Sequence, residues 1–195
     1  MAAVNSISRP IWCHPARRAQ FAAAAFAVTL AAASNLPAQA PKTTEYQVKA
    51  AYLANFSKFV EWPAKVAKSE SFNICVLGQD PFGGDLDAAV ASATIDHVPI
   101  AAKRISRPQD ALDCRVLFIS SSEDGQWKEI LTALKTLSVL TVSDMREFAQ
   151  RGGIVQFILD GNRVRFEVNL AATGPPGLKL SSELLKLAVT VRRIP

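Results

Sequence analysis

The sequence predicts a single α/β domain: a mostly parallel, twisted sheet with helices on both faces and an antiparallel hairpin near the C-terminus. Three observations carry that prediction. The stretches 71–78 (SFNICVLG) and 115–120 (RVLFIS) are almost wholly apolar, as strands buried on both faces are. Segments with helical spacing fall between the apolar runs, where crossover helices belong. Asp160-Gly161-Asn162 separates two alternating runs, Ile154–Leu159 and Arg163–Asn169, which is a hairpin signal.

Residues 1–40 read as a secretory signal. Arg9, Arg17 and Arg18 form a basic start, 21–33 is an apolar run too short to span a bilayer comfortably, and Ala38-Gln39-Ala40 offers a small-x-small cleavage site. That segment holds three of the 22 Lys and Arg and none of the 17 Asp and Glu, so residues 41–195, read as one domain, carry a net charge of about +2. The remaining Lys and Arg are scattered apart from Arg192-Arg193, which gives no concentrated basic face for nucleic acid.

The stretch Glu45–Pro63 reads as one helix. Thr44 and Gln47 can form a capping box, and Pro63 stops the helix. Val48, Tyr52, Phe56, Phe59 and Val60 share one face, extended by Ala51, Leu53 and Trp62. That stripe is wider than the roughly 100° that packs on one core. It is either a well-buried core helix or one that keeps part of its face for another chain. Asn55 lies inside the stripe and needs a hydrogen-bond partner if buried.

The first strand, 71–78, leads into the turn-rich loop Gln79–Gly84 and a short helix over Asp85–Ala93. Val98–Ile105 is a second strand, and Pro99 near its start suggests an edge or near-edge position. The third strand is 115–120. A helix over Trp127–Leu137 follows, with Ile130, Leu131 and Leu134 on one side. Val139–Val142 is a fourth strand, Ser143-Asp144 can cap a short helix over Arg146–Ala149, and Gly152-Gly153 breaks it. The hairpin then ends the sheet. After Gly174-Pro175-Pro176-Gly177, a last amphipathic helix is expected over Leu178–Ile194, with Leu180, Leu184, Leu187 and Ala188 facing inward.

Cys13 leaves with the signal. Cys75 and Cys114 remain, an even number in an oxidising compartment, so one disulfide is the simple inference and two buried thiols the alternative. Their strands would be neighbours in a doubly wound order. Two cysteines with His97 make a poor metal set, and no cofactor is expected. Catalytic sets are thin: there is no G-x-S-x-G, no phosphate-binding P-loop, and a Ser/His/Asp arrangement would need Ser120, Ser121 or Ser122 to face His97 and Asp96. The loop with Gly83 and Gly84 follows the first strand, and Ser121 and Ser122 follow the third. Open α/β sheets bind ligands at that carboxyl edge, so these residues are the candidate small-ligand loop, although Asp80 and Asp85 oppose a phosphate.

The run 46–63 (YQVKAAYLANFSKFVEWP) resembles the opening signature of the YfiR family. Further motifs follow in order: 74–78 (ICVLG), 80–83 (DPFG), 114–120 (CRVLFIS), 139–144 (VLTVSD), Phe148-Ala149, 152–154 (GGI), 162–169 (NRVRFEVN) and 177–188 (GLKLSSELLKLA). The resemblance implies a periplasmic regulator, not an enzyme. It would inhibit an inner-membrane diguanylate cyclase by binding the cyclase's periplasmic segment, lowering cyclic di-GMP and biofilm formation. An outer-membrane lipoprotein would sequester it. Some relatives carry a second cysteine pair around the double glycine, where this chain has Ala149 and Gln156. Pro175-Pro176 departs from an alanine-rich link. A periplasmic small-ligand sensor is the alternative, and a homodimer is left open.

The partner surface is expected on the C-terminal hairpin and the helix that follows it. Arg163, Arg165 and Glu167 alternate with Val164, Phe166 and Val168, so the two sets point to opposite sides. Arg165 and Glu167 either pair with each other or mark the rim of a contact. In the second reading Ile154 and Val155 lie near its centre, because interfaces place charge at the rim and apolar groups at the core.

Overall fold

The computed structural model describes residues 44–63 and 70–193; the expected signal segment with Cys13, and Ile194, lie outside them. In chain order the helices are α1 Glu45–Phe56, α2 Gly84–Val90, α3 Trp127–Leu134 and α4 Ser182–Leu187. The strands are β1 Val60–Glu61, β2 Phe72–Leu77, β3 Thr94–Ile95, β4 Val98–Ile105, β5 Cys114–Ile119, β6 Leu140–Ser143, β7 Val155–Asp160, β8 Arg163–Asn169, β9 Lys179–Leu180 and β10 Thr190–Arg192. The main sheet runs β10-β8-β7-β6-β5-β2-β4-β3. β4, β2, β5, β6 and β7 are parallel neighbours; β8 is antiparallel to β7, and β3 to β4.

Period-two alternation divides the core into two layers. Ile74, Val76, Val116, Phe118 and Val142 face α1, α2 and α4. Cys75, Leu77, Leu117 and Ile119 face α3 through Ile130 and Leu134. Every residue of β2 is buried, which is why its sequence is continuously apolar except for Asn73. That amide donates to the Asp113 carbonyl at 3.0 Å, so its burial leaves no polar group unmet. Cys75 and Cys114 are bonded, with Cα atoms 5.9 Å apart on adjacent strands of the α3 layer.

The capping box at Thr44 is formed: its hydroxyl accepts from Gln47 N at 3.2 Å, and its own N–H donates to Gln47 Oε1 at 2.9 Å. The single long helix expected to Pro63 ends earlier. After Phe56 a 3-10 turn covers Ser57–Phe59, and Val60 enters β1, pairing with Leu180 of β9. Ser57 Oγ turns back to the Ala54 carbonyl, a local bond that competes with the helix, and Phe59-Val60 has strand propensity. The buried set is consequently Lys49, Ala50, Leu53, Ala54 and Phe56, while Val48 and Tyr52 are half-buried and Ala51 is exposed. Asn55 is exposed, with its amide on the Ala51 carbonyl.

The expected C-terminal helix is a strand, a short helix and another strand. Ser181 Oγ accepts from Leu184 N at 3.2 Å, so α4 restarts at Ser182. The β-branched run Val189-Thr190-Val191 leads into β10, Thr190–Arg192, which runs parallel to β8 and pairs with Glu167–Asn169. Leu184 is buried as expected, but Leu187 is exposed, and the hairpin does not end the sheet. The segment 146–149 is turn rather than helix. Glu147 adopts φ 58°, a left-handed conformation that interrupts a helical path.

The disulfide closes a separation of 39 residues, which restricts the unfolded chain by about 4 kcal/mol in the chain-entropy picture. Replacing both Cys75 and Cys114 by Ser is expected to lower the melting temperature by roughly 10 °C. Thiol titration of the native mature protein should find neither cysteine free. A free thiol count of two in periplasmically produced protein would contradict the bond.

Candidate functional site

The strand order reverses between β2 and β5, since the chain goes outward to β4 before returning to β5 on the other side. In open α/β sheets the crevice at that switch point is where ligands bind. The structure brings the Gly78 loop and the Ser120–Ser122 turn together there, but they close on each other. Gln79 N donates to Ser122 Oγ at 3.0 Å, and that hydroxyl donates to Glu123 Oε1 at 2.9 Å. Gly78 has φ 89°, and a Cβ there would sit 2.5 Å from both Ser122 Oγ and Glu123 Oε1, so only glycine fits. Ser121, Ser122, Gly83 and Gly84 are exposed. Beside them Arg104 contacts Asp80 at 2.8 Å, both oxygens of Asp87 at 2.7 Å and the Gly83 carbonyl at 2.7 Å. Its hydrogen bonds to Asp87, and then to Asp80, hold the guanidinium's pKa above its ordinary value despite partial burial, and they draw the Asp87 carboxyl down. The edge is thus internally paired and lined with carboxylates, which disfavours an anionic ligand.

A second polar group on the carboxyl edge is not expected from the sequence pattern. Lys49 projects from α1 and is only 2 % exposed. Its ammonium contacts Asp144 Oδ2 at 2.6 Å, just beyond β6, and Glu45 Oε1 at 2.5 Å. It also lies 4.4 Å from the centroid of the Tyr46 ring, whose hydroxyl donates to the same Asp144 oxygen at 3.1 Å. Burial lowers the Lys49 pKa, but the hydrogen bonds to Asp144 and Glu45 outweigh it, and the net shift is upward. Burial, with Asp144 second, raises that of Tyr46. A permanently charged ammonium and a neutral phenol are poor nucleophiles and bases. The cluster fastens α1 to the sheet.

The closing end of the sheet has a different character. Ile154 and Val155, expected near the centre of a contact, are buried in the core and offer no surface on the hairpin. Arg165 and Glu167 do not pair with each other. Glu167 lies 3.6 Å from Arg192, because β10 brings that guanidinium beside β8. Leu112, Leu159, Leu187 and Val189 are the large apolar side chains exposed among the described residues, and the last three belong to this end, at 56 %, 58 % and 49 %. Val189 N donates to the Phe166 carbonyl, and Leu159 pairs with Val164. Leu159 and Val189 therefore lie two strands and two residues apart, about 12 Å. Between α1 and the hairpin runs a groove of about 750 Å³ lined by Val48, Tyr52, Leu159, Arg163 and Val164.

His97 lies in neither site. Asp96 and His97, with φ 49° and 67°, form the two-residue turn between β3 and β4. That turn is at the amino end of the parallel strands, opposite Ser120–Ser122, so no Ser/His/Asp arrangement forms. Ala149 and Gln156 do meet: Ala149 N donates to Gln156 Oε1 at 3.1 Å, and Asn169 Nδ2 to the Ala149 carbonyl at 2.7 Å. No cluster of three or more His, Cys, Asp or Glu able to hold a metal occurs among the described residues, nor a helix long and apolar enough to cross a membrane.

A family model described as YfiR/HmsC-like matches residues 46–189. Among solved structures the chain is similar to a conserved domain protein from Vibrio cholerae O1 biovar El Tor, at 10 % identity and TM-score 0.53, covering 76 % of this chain and 60 % of that one. It is also similar to an ABC domain in complex with L-Trp from Streptococcus pneumonia, at 9 % identity and TM-score 0.50, covering 73 % and 60 %. This chain therefore spans 60 % of those proteins, less than two thirds of their length, and the likeness is one of fold.

Removing Lys49 alone leaves Asp144 partly buried without its cation. Lys49→Met is expected to cost about 3 kcal/mol, and adding Asp144→Leu to recover part of it, as measured by urea unfolding of the single and double variants. The ammonium's raised pKa means the folded state binds that proton more tightly than the unfolded chain. The stabilisation is then full below the ordinary value of 10.5 and is lost as pH rises through the higher folded value. The gap between wild type and Lys49→Met should stay constant from neutral pH to the ordinary lysine value and narrow above it.

Proposed function

The chain belongs to the YfiR/HmsC-like family, whose members are periplasmic regulators of diguanylate cyclases, and from that premise we propose that it inhibits an inner-membrane cyclase by binding its periplasmic segment. Inhibition would lower cyclic di-GMP and with it biofilm formation. An outer-membrane lipoprotein that competes for the same surface would relieve the inhibition. The reading makes the protein a binding module rather than an enzyme. The Cys75–Cys114 bond suits an oxidising compartment.

The observation that carries the proposal is the grouping of Leu159, Leu187 and Val189 at one end of the sheet, flanked by Arg163 and Arg165. Exposed apolar residues gathered in this way mark interaction sites, and charged neighbours form the rim. Arg165 is the candidate rim residue. Glu167 acts one step removed, by holding Arg192 at the base of the surface.

The test is association of the purified mature protein with the periplasmic segment of its cyclase. Leu159→Asp combined with Val189→Asp should weaken binding by about tenfold or more, with melting within a few degrees of wild type. Arg165→Glu should act mainly on the association rate and its salt dependence. Glu167→Gln should lower stability and affinity together through Arg192. Unchanged affinity in the double apolar variant would remove the closing end of the sheet as the contact.

A further inference from the structure

We infer that the groove between α3 and the Pro175-Pro176 loop is a binding site for a small organic acid, one with an apolar body and a single anionic group. The groove holds about 370 Å³, within the range of small-molecule sites. Leu131, Val139, Ile154 and Pro176 make its walls apolar. The charged residues that line it are Lys128, Lys135 and Arg151, and no carboxylate does so.

Those three cations are not equivalent. Arg151 contacts Asp124 at 2.7 Å and stacks over Trp127 with its guanidinium carbon 4.3 Å from a ring centroid, so its charge is largely answered. Lys128 also lies over the Trp127 ring, at 5.5 Å from its centroid, but neither it nor Lys135 has a carboxylate partner among the described residues, and both are exposed. They are seven residues apart on α3 and its C-cap. That spacing returns to the same helix face after two turns, about 10 Å along the axis, with Leu131 between them. An apolar body on Leu131 would thus have an ammonium at either end for its anionic group.

The opposite wall is held in advance. Ser138 Oγ donates to the Pro176 carbonyl at 2.9 Å, Gly177 N to the Gly174 carbonyl at 3.0 Å, and Leu178 N to the Thr173 carbonyl at 3.0 Å. The two prolines fix their own φ angles. A wall already ordered costs little on binding. Gly152 faces Leu131 across the groove, where a Cβ would already touch Leu131 Cδ1 at 3.7 Å.

The site is independent of the hairpin surface and is tested separately. The probes are anilinonaphthalene sulfonate, an aromatic anion whose fluorescence rises in apolar sites, and the uncharged phenylnaphthylamine. The full mature protein should bind the sulfonate saturably at one site. Lys128→Glu with Lys135→Glu should weaken the sulfonate by about tenfold and leave the uncharged dye nearly unchanged. Leu131→Trp, at a half-exposed position, should fill the groove and remove both. Leu159→Asp, on the other surface, should change neither. Sulfonate affinity that survives the double charge reversal, both dyes still bound to folded Leu131→Trp, or loss of signal in Leu159→Asp instead, would each overturn the site.

Discussion

An ammonium removed from water needs its counter-charges within contact distance, and Lys49 has two. Asp144 comes from the end of β6 and Glu45 from the turn of α1 below. The contact fixes where α1 crosses the sheet and how it is rotated. One and two turns further along the same helix, Tyr52 and Phe56 meet Phe157 and Phe166 of the hairpin, with centroids 5.2 to 5.9 Å apart. One helix therefore joins the carboxyl edge at its start to the closing hairpin at its end. Offset and edge-to-face ring contacts of this kind add about 1 kcal/mol each beyond area burial. The groove beside Leu159 exists because α1 is held at that angle.

The same contact helps to explain why the surface suited to a partner is not where open α/β sheets usually place a ligand. The carboxyl edge spends its polar groups internally, on Lys49 with Asp144, Arg104 with Asp80 and Asp87, and Ser122 with the Gln79 amide. The closing end keeps apolar side chains in contact with water. Gln156 ties the Ala149 turn to β7 by a hydrogen bond from the Ala149 N–H. The Cys75–Cys114 disulfide is buried in the α3 layer, away from both surfaces.

The sheet was legible because strands buried on both faces read as unbroken apolar runs, and β2, β4, β5 and the hairpin lie within a residue of their expected bounds. The disulfide was legible from the count of cysteines and the neighbouring strands. Both ends of the fold were not. Phe59-Val60 and Val189-Thr190-Val191 satisfy a helical stripe and a strand alike, and pairing with β9 and β8 decided for the strand. That decision turned Leu187 outward and gave Glu167 a partner, Arg192, that local spacing does not indicate. Lys49 was invisible for a related reason. A lysine within an apolar stripe reads as a solvated break paired at most with the local Glu45, and its second carboxylate, Asp144, lies 95 residues away. Ile154 and Val155 were misplaced because an apolar run at the start of a strand does not say whether the face above it is covered.

In the proposed complex the partner meets the closing end of the sheet while the carboxyl edge stays out of the contact. Hydrogen exchange of the mature protein, alone and with the periplasmic segment of the proposed target cyclase, tests this most directly. Slowed exchange on binding is expected in 157–167 and 186–193, with no change in 78–84 and 120–124. Protection confined to 78–84 and 120–124 would contradict the account and return the contact to the switch point between β2 and β5.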